Sequence, residues 1–299
     1  MKHLLVVVCG PTASGKTALA IRIAEEFGSE IISADSRQVY RELPVGSAAP
    51  TQEEILKVPH HLVGSISIHE HYNAGRFADD ARKILDEMFL KNPVQVLAGG
   101  TGLYIKALVD GMDDLPEVPE EIRKRYMQRL EDEGLSVLQD ELKQRDPEYA
   151  AEVDLANKAR VLRALELIET TETKYSELRK GSKREKPFDV VYLMPALERE
   201  ALYARINARA YVMLNGGWIE EAESLKEHRE LKALQTLGYP EIFAMIDGKI
   251  TKNECLAQIQ QATRRYAKRQ LTWFRNQTEV LEVDANATRE ELRAMAGLV

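Results

Sequence analysis

An eight-residue loop between a predicted strand and a predicted helix sets the first limit on how this chain folds. Residues 10–17 read GPTASGKT and match the pattern G-x-x-x-x-G-K-[ST]. The loop follows the apolar run Leu4–Cys9, which is typical of a strand buried on both faces of a parallel sheet. It leads into a helical pattern over Lys16–Phe27, which Gly28 is placed to end. In this context backbone N–H groups and a helix N-terminus bind phosphate groups.

The loop therefore predicts a site for a diphosphate or a triphosphate. Lys16 adds a positive charge, and the hydroxyl of Thr17 is in position to bind Mg²⁺. The motif does not say whether the phosphates belong to a nucleotide. GTP is disfavoured, because the nearest match to the guanine motif Asn-Lys-x-Asp is Asn157–Arg160, which ends in arginine. The predicted phosphate-binding residues are Gly10, Pro11, Thr12, Ala13, Ser14, Gly15, Lys16 and Thr17.

Further strand patterns alternate with helical ones and predict an α/β fold with a doubly wound parallel sheet. A break after Gly111 separates this pattern from about 70 charged, helical residues with no strand pattern, which indicates a helical insertion domain. We predict a core of residues 1–112 and 190–299 and an insertion of residues 113–189. The predicted strands after the first are Ile31–Ala34, Val94–Ala98, Val190–Met194 and Glu279–Val283, with a helical segment at Leu103–Leu108.

Composition excludes several classes of protein. With 41 basic and 48 acidic residues, the net charge of −7 excludes a uniformly basic nucleic-acid-binding protein, although not a local basic patch. Two cysteines argue against a disulfide scaffold and against a zinc site with four thiolates, and they fit a reducing cytoplasm. No run approaches the roughly 20 apolar residues of a membrane span. The adjacent pair His60 and His61 lacks nearby partners, so a metal site there is disfavoured.

Two polar residues follow predicted strands at the carboxyl edge of the sheet, beside the phosphate loop. Asp35 comes directly after the strand Ile31–Ala34, where it is placed either to hold Mg²⁺ through water or to take a proton from a nucleophile. Thr101 lies in the glycine-rich turn 98–102, AGGTG, at the same edge. Its hydroxyl either projects into the crevice or caps the following helix, and this feature alone does not decide between the two.

A third candidate is an arginine in an apolar helical stripe. Arg209, with Arg205 one turn earlier, falls on the side of the predicted helix 202–214 that carries apolar residues. A buried guanidinium needs an anion, and a diphosphate suits its forked donors as well as a core carboxylate does. The stripe comprises Leu202, Ile206, Val212 and Met213.

Basic side chains are concentrated in two regions. Residues 255–278 contain no acidic residue, and their five cations span an arc of about 140° on a helix, opposite a largely aromatic and apolar side that includes Tyr266. The insertion presents Arg160 and Arg163 opposite apolar residues, and the loop 179–186, RKGSKREK, adds more positive charge. We predict a cleft for an extended polyanion, with a solvated amphipathic helix as the alternative. The five cations are Arg264, Arg265, Lys268, Arg269 and Arg275.

Seven motifs in this order closely resemble the bacterial tRNA dimethylallyltransferases over almost the whole chain. The motifs are GPTASGKT at 10–17, ADSRQVY at 34–40, VPHHL at 58–62, AGGTGLY at 98–104, RVLRALE at 160–166, LQTLGY at 234–239 and RRYAKRQLTWFR at 264–275. The resemblance implies transfer of a dimethylallyl group from dimethylallyl diphosphate to N6 of adenosine 37 in tRNA. We further expect a cytoplasmic enzyme that uses Mg²⁺ at Thr17 and acts as a monomer, because gripping a tRNA needs no second copy.

The resemblance assigns expected roles to individual residues. Asp35 is the expected general base and Thr101 lies at the reaction centre. Arg209 contacts the diphosphate, which occupies the phosphate loop in place of ATP. Residues Ser36, Arg37 and Gln38 are expected to hold the flipped base and its neighbours. The insertion is expected to grip the anticodon stem-loop. The residues expected to contact tRNA elsewhere are Arg160, Arg163, Arg264, Arg265, Lys268 and Arg269.

Two other functions are consistent with parts of the sequence. A kinase of a small metabolite or nucleoside would use the loop for ATP and Asp35 as a base, but it leaves the basic helix unexplained. An ATP-gated RNA-binding module would explain the basic surfaces and give Asp35 and Thr101 no role. We expect Glu220, Glu221 and Glu223 to form a solvated helix face.

Overall fold

The computed structural model describes residues 3–113, 115–179, 186–284, 287–295 and 297. Most of the basic loop 179–186 lies outside the described residues. Clustering of contacts divides the chain into one unit of residues 1–110 and 185–299 and a second unit of residues 111–184.

The first unit is built on a six-stranded sheet with the order β3-β2-β4-β1-β5-β6, in which every pair of neighbours is parallel. The strands are β1 His3–Cys9, β2 Ile31–Ser33, β3 His60–His61, β4 Val94–Gly99, β5 Phe188–Pro195 and β6 Val280–Val283. The predicted α/β fold is confirmed. Five strands match their predicted positions to within two residues, whereas β3 was not predicted because two residues carry no periodic signal.

Fourteen α-helices are described, and the fifth to the ninth belong to the second unit. They are α1 Lys16–Phe27, α2 Gln52–Lys57, α3 Ala74–Lys91, α4 Gly102–Val109, α5 Glu120–Asp132, α6 Leu135–Arg145, α7 Pro147–Glu152, α8 Lys158–Thr171, α9 Tyr175–Leu178, α10 Arg199–Met213, α11 Ile219–Ser224, α12 Tyr239–Ile246, α13 Lys252–Gln277 and α14 Arg289–Met295. Gly28 ends α1 in the left-handed conformation, as predicted.

Strand β1 lies between two hydrophobic cores because its side chains alternate between the faces of the sheet. Leu5 and Val7 lie in the larger core, and Val6 and Val8 pack in the smaller one with α1 and α14. All four side chains are fully buried. Burial on both faces explains the unbroken apolar run that the sequence shows here.

The second unit has its own core. Side chains from α5, α6, α7 and α8 form it, among them Tyr126, Leu142 and Leu165. On α8, Arg160 is exposed, and Arg163 is partly exposed with Glu166 at 4.0 Å. The buried side of α8 agrees with the amphipathic pattern, and the role of its arginines in RNA binding stays a prediction.

A π-helical turn at Leu214–Trp218 follows α10 and changes the direction of the chain. Gly217 has φ +109°, a conformation that disfavours residues with a Cβ. Trp218, the last residue of the turn, is buried, whereas Val212 in α10 is 66 % exposed. The prediction that Val212 belongs to the apolar stripe of α10 is therefore wrong. At 100° per residue Val212 lies about 80° from Leu202, at the edge of the stripe, where the side chain faces solvent.

Candidate active site

The phosphate loop joins β1 to α1, and its lysine is folded back onto the loop. Ala13 and Gly15 have φ +64° and +95°, which bends the backbone around the N-terminus of α1. The Lys16 Nζ donates a hydrogen bond to the Pro11 carbonyl at 2.6 Å. Burial lowers the pKa of Lys16 to about 8, and the charge of Asp35 partly opposes this shift. An anion in the loop would stabilise the charged form of this lysine.

Arg209 extends from α10 to the same loop. Its guanidinium donates to the hydroxyl of Thr12. Burial lowers the pKa of Arg209, and the negative charge of Asp35 works against that effect. Arg205, one turn earlier, approaches the carbonyl of Ser14 at 3.5 Å. Helix α10 thus brings two guanidinium groups to the phosphate loop.

Asp35 caps the turn that carries Ser36, Arg37 and Gln38, the three residues predicted to hold the flipped base. Its Oδ1 accepts hydrogen bonds from the backbone N–H of Arg37 at 2.8 Å and of Gln38 at 3.4 Å. The Gln38 side chain bonds to Ser33 and to the carbonyl of Ala48. Asp35 therefore holds the shape of this turn with one oxygen.

The hydroxyl of Thr101 faces this turn. Its Oγ1 accepts the backbone N–H of Ser36 at 3.0 Å and donates to the Ser36 hydroxyl at 3.3 Å. Although Thr101 stands at the N-cap position of α4, its side chain makes no capping hydrogen bond. Of the two interpretations left open by the sequence, the structure contradicts the helix cap, and it places the hydroxyl against Ser36.

Two cavities meet at Lys16, Asp35 and Arg209. One, of about 290 Å³, is lined by Trp218 together with other apolar, polar and charged residues, and we call it the Trp218 cavity. The other, of about 480 Å³, contains most of the phosphate loop, and we call it the Thr17 cavity. Both are lined by Thr12, Lys16, Asp35, Ser47, Ala48 and Arg209. The shared wall brings a carboxylate and two cationic groups to one place.

The predicted RNA-binding residues of α13 are only partly brought to the site. Arg269 lines the Trp218 cavity, and Arg37 lines it from the turn after β2. Arg264 donates to the Asn207 side chain at 2.6 Å, and Arg275 lies 3.5 Å from Glu282. The prediction of five uncompensated cations is therefore wrong for Arg275, which lies beside a carboxylate, whereas Asn207 is neutral and does not compensate the charge of Arg264. The exposed cations are Arg265, Lys268 and Arg269, together with Arg275.

Tyr266 was expected on the aromatic and apolar side of α13, opposite the cations, but it is a residue of the site. It lines the Trp218 cavity, and Arg269 lies over its ring at 5.6 Å. Burial, together with the nearby charge of Asp35, raises the pKa of Tyr266 to about 12. On a helical projection Tyr266 lies only about 60° from Arg269, since three residues give −60° at 100° per residue. This small angle from Arg269 was the sequence signal that could have placed Tyr266 beside the basic face.

The expectation that Glu221 lies on a solvated helix face is wrong. Its carboxylate accepts the backbone N–H of Val45 at 2.7 Å and of Gly46 at 2.8 Å, and the hydroxyl of Tyr239 at 2.7 Å. Glu221 is thus a fixed anchor for the loop that forms one wall of the Trp218 cavity. Glu220 and Glu223 are exposed, as expected.

The Thr17 cavity has a donor set suited to Mg²⁺. Its walls include the hydroxyls of Thr17 and Ser33 and the carboxylates of Asp35 and Glu54. Hydroxyl and carboxylate oxygens are the ligands that Mg²⁺ prefers, usually beside substrate phosphates and water. Among the residues that the structure describes, no group of three His, Cys, Asp or Glu could hold a metal ion. Likewise, none of the described helices is long and apolar enough to cross a membrane.

The sheet, the loop of the phosphate-binding pattern and the acidic residue after β2 define an α/β protein with a carboxylate beside a loop suited to phosphate groups. Comparison with known proteins narrows this class. The family model described as IPP transferase matches residues 38–277. A tRNA dimethylallyltransferase from Cytophaga hutchinsonii is 47 % identical over 93 % of this chain and 91 % of its own. The chain therefore belongs to the IPP transferase family.

Solved structures agree with this assignment. The tRNA isopentenylpyrophosphate transferase of Bacillus halodurans has a TM-score of 0.71 and is 33 % identical, covering 99 % of this chain and 95 % of its own. A eukaryotic dimethylallyltransferase acting on tRNA has a TM-score of 0.78 at 25 % identity, covering 98 % of this chain and 78 % of its own.

Proposed function

We propose that this protein transfers the dimethylallyl group of dimethylallyl diphosphate to N6 of adenosine 37 in tRNA. The products are N6-(dimethylallyl)adenosine and diphosphate. The observation that supports this most is the wall shared by the two cavities, where Asp35 lies beside Lys16 and Arg209. A proton acceptor and a cationic site for a leaving group are both required for this reaction. The names of the similar proteins point to the same chemistry.

The mechanism follows from the weakness of the nucleophile. The lone pair of an adenine amine is delocalised into the ring, so the reaction needs a positioned base and a stabilised leaving group. As the bond from N6 to the allylic carbon forms, the bond from that carbon to the diphosphate oxygen breaks. Asp35 takes the proton from N6, while Lys16 and Arg209 stabilise the charge that develops on diphosphate. The adenine must leave its stack to reach Asp35, which costs least in a single-stranded loop.

We also propose Mg²⁺ as the cofactor. The hydroxyl of Thr17 would hold it beside the diphosphate, which leaves Asp35 free to act as the base. When bound, the ion neutralises negative charge on the phosphate oxygens. The phosphate-loop residues and Arg209 keep the donor in place.

One assay tests the proposal. The protein is incubated with labelled dimethylallyl diphosphate, Mg²⁺ and unmodified tRNA that carries A36-A37, and in parallel with ATP. We expect label in tRNA at position 37 with the allylic donor alone, and loss of transfer with a chelator that excess Mg²⁺ reverses. Consumption of ATP without label transfer would instead identify a kinase, and tRNA binding without chemistry would identify an RNA-binding module.

The basic face of α13 gives a separate prediction. We expect joint replacement of Arg265, Lys268 and Arg269 by glutamine to weaken tRNA binding and to reduce the slope of log affinity against log salt by about 2 to 3, because each phosphate contact releases about one counterion. Arg264 is kept because it bonds to Asn207. The measurement is a tRNA-binding isotherm at several salt concentrations.

A matched variant controls for net charge. Lys57, Lys83 and Lys91 are exposed on α2 and α3. Lys57 and Lys91 end these helices shortly before β3 and β4, at the amino edge of the sheet, opposite the phosphate loop. Their joint replacement by glutamine changes the net charge by the same amount and should leave the salt slope unchanged. Equal slopes for the two triple variants would remove α13 from the RNA interface.

A further inference from the structure

Gln270 is a buried side chain of the motif RRYAKRQLTWFR with both ends of its amide bonded. It lies on α13 and is 6 % exposed. Its Oε1 accepts the backbone N–H of Thr12 at 2.9 Å, and its Nε2 donates to the carbonyl of Gly100 at 2.8 Å. The two partners fix the orientation of the amide, since the backbone N–H of Thr12 is a donor and the carbonyl of Gly100 is an acceptor.

The two partners belong to the two glycine-rich turns at the carboxyl edge of the sheet. Thr12 is in the phosphate loop, and its hydroxyl accepts a hydrogen bond from Arg209. Gly100 directly precedes Thr101, whose hydroxyl bonds to Ser36 beside Asp35. One side chain therefore connects the loop for the leaving group with the turn at the reaction centre.

The glycine-rich turn 98–102 packs closely against α13, so it has little freedom to move independently of Gln270. A Cβ on Gly100 would lie 2.3 Å from the Gln270 Nε2. A Cβ on Gly102 would lie 2.4 Å from the ring of Trp273, one turn further along α13. Real Cβ atoms do not approach other atoms so closely, so a side chain at Gly100 would displace the Gln270 amide and one at Gly102 would displace the Trp273 ring. These glycines serve the contact with α13 and not a phosphate.

We propose that Gln270 is a positioning residue that couples the binding of the diphosphate group to the placement of Thr101. This inference rests on the proposed function. Movement of the Thr12 amide as the phosphate loop closes on an anion is transmitted through the Gln270 amide to the carbonyl of Gly100. The hydroxyl of Thr101 is thereby set against the Ser36 turn when the donor is bound. Gln270 itself does not act on the reacting atoms.

Two substitutions test the coupling. Gln270→Met keeps the length of the side chain and removes both hydrogen bonds. Gln270→Glu keeps an acceptor for Thr12 but, when ionised, presents a second acceptor to the Gly100 carbonyl. We expect both to lower kcat for dimethylallyl transfer by about 10- to 100-fold through misplacement of the reacting groups. The KM for tRNA and the fold measured by circular dichroism should stay near the wild-type values.

A glutamine on the same helix provides the control. Gln260 is partly buried and donates to the backbone carbonyl of Asn207 at 3.2 Å. Gln260→Met therefore also removes a side-chain hydrogen bond from α13 to another part of the chain, without touching either turn. It should leave kcat near the wild-type value. Equal losses in the Gln260→Met and Gln270→Met variants would overturn the proposal in favour of general destabilisation of α13.

Hydrogen exchange tests the coupling without catalysis. In the wild-type protein, saturating inorganic diphosphate with Mg²⁺ should slow amide exchange in the phosphate loop and in a peptide covering residues 99–104. In the Gln270→Met or Gln270→Glu protein, saturating diphosphate should slow exchange in the loop alone. Slowed exchange at 99–104 in both variants would overturn the inference. If the wild-type protein shows the coupled response but transfers no label to tRNA, the proposed function fails and the coupling stands.

Discussion

The Asp35→Asn variant is expected to lose kcat by about 10²- to 10⁴-fold, which is the usual contribution of a general base, and to bind tRNA with an affinity close to wild type. Asparagine retains the oxygen that accepts the N–H of Arg37 and Gln38. It cannot take a proton from N6 of adenine. The turn that carries Ser36, Arg37 and Gln38 should therefore keep its shape while the chemical step fails. Single-turnover transfer and a direct tRNA-binding isotherm measure the two properties separately.

Alanine at position 35 distinguishes the role of Asp35 as a base from its role in capping the turn. Asp35→Ala removes the acceptor for two backbone N–H groups, so it should weaken tRNA binding as well as transfer. The difference in tRNA affinity between the alanine and asparagine variants then reports the contribution of the cap. Near wild-type transfer by Asp35→Asn, with weak binding by Asp35→Ala, would make Asp35 a structural residue.

The sequence was sufficient where the signal is local. Helix α1 has the bounds Lys16–Phe27 that its periodicity and Gly28 predict, because hydrophobic spacing and a left-handed terminator act over a few residues. The strand β1 and the phosphate loop are local in the same sense. Asp35 and Thr101 could be placed at one edge because the ends of parallel strands coincide there.

The remaining site residues depend on contacts between distant parts of the chain. Glu221 holds a loop 176 residues earlier, and Gln270 bonds to Thr12 across 258 residues. Neither residue has a distinctive periodicity, since a glutamate and a glutamine on a helix usually face water. Tyr266 was assigned to an apolar anchor because its cavity is formed by elements far apart in sequence. Tertiary packing decides such roles, and no single window of sequence contains it.

The second large effect is expected at Arg209. Arg209→Gln removes a guanidinium that is bonded to Thr12 and lies on the wall shared by both cavities. We expect kcat/KM for dimethylallyl diphosphate to fall by about 10²- to 10³-fold, a loss typical of removing one donor to a developing oxyanion. The KM for tRNA should change little. Initial rates at varied donor concentration and saturating tRNA measure the effect.

Two variants show whether charge or geometry is responsible. Arg209→Lys keeps the positive charge but loses the rigid planar fork, whose fixed donors suit bidentate binding of phosphate oxygens. It should therefore recover only a small part of the loss. Arg199→Gln, an exposed position on the same helix that lines neither cavity, changes the net charge equally and should retain full activity. Full recovery by lysine would mean that a point charge is sufficient at Arg209, and equal losses at Arg199 and Arg209 would mean that α10 acts through its overall charge.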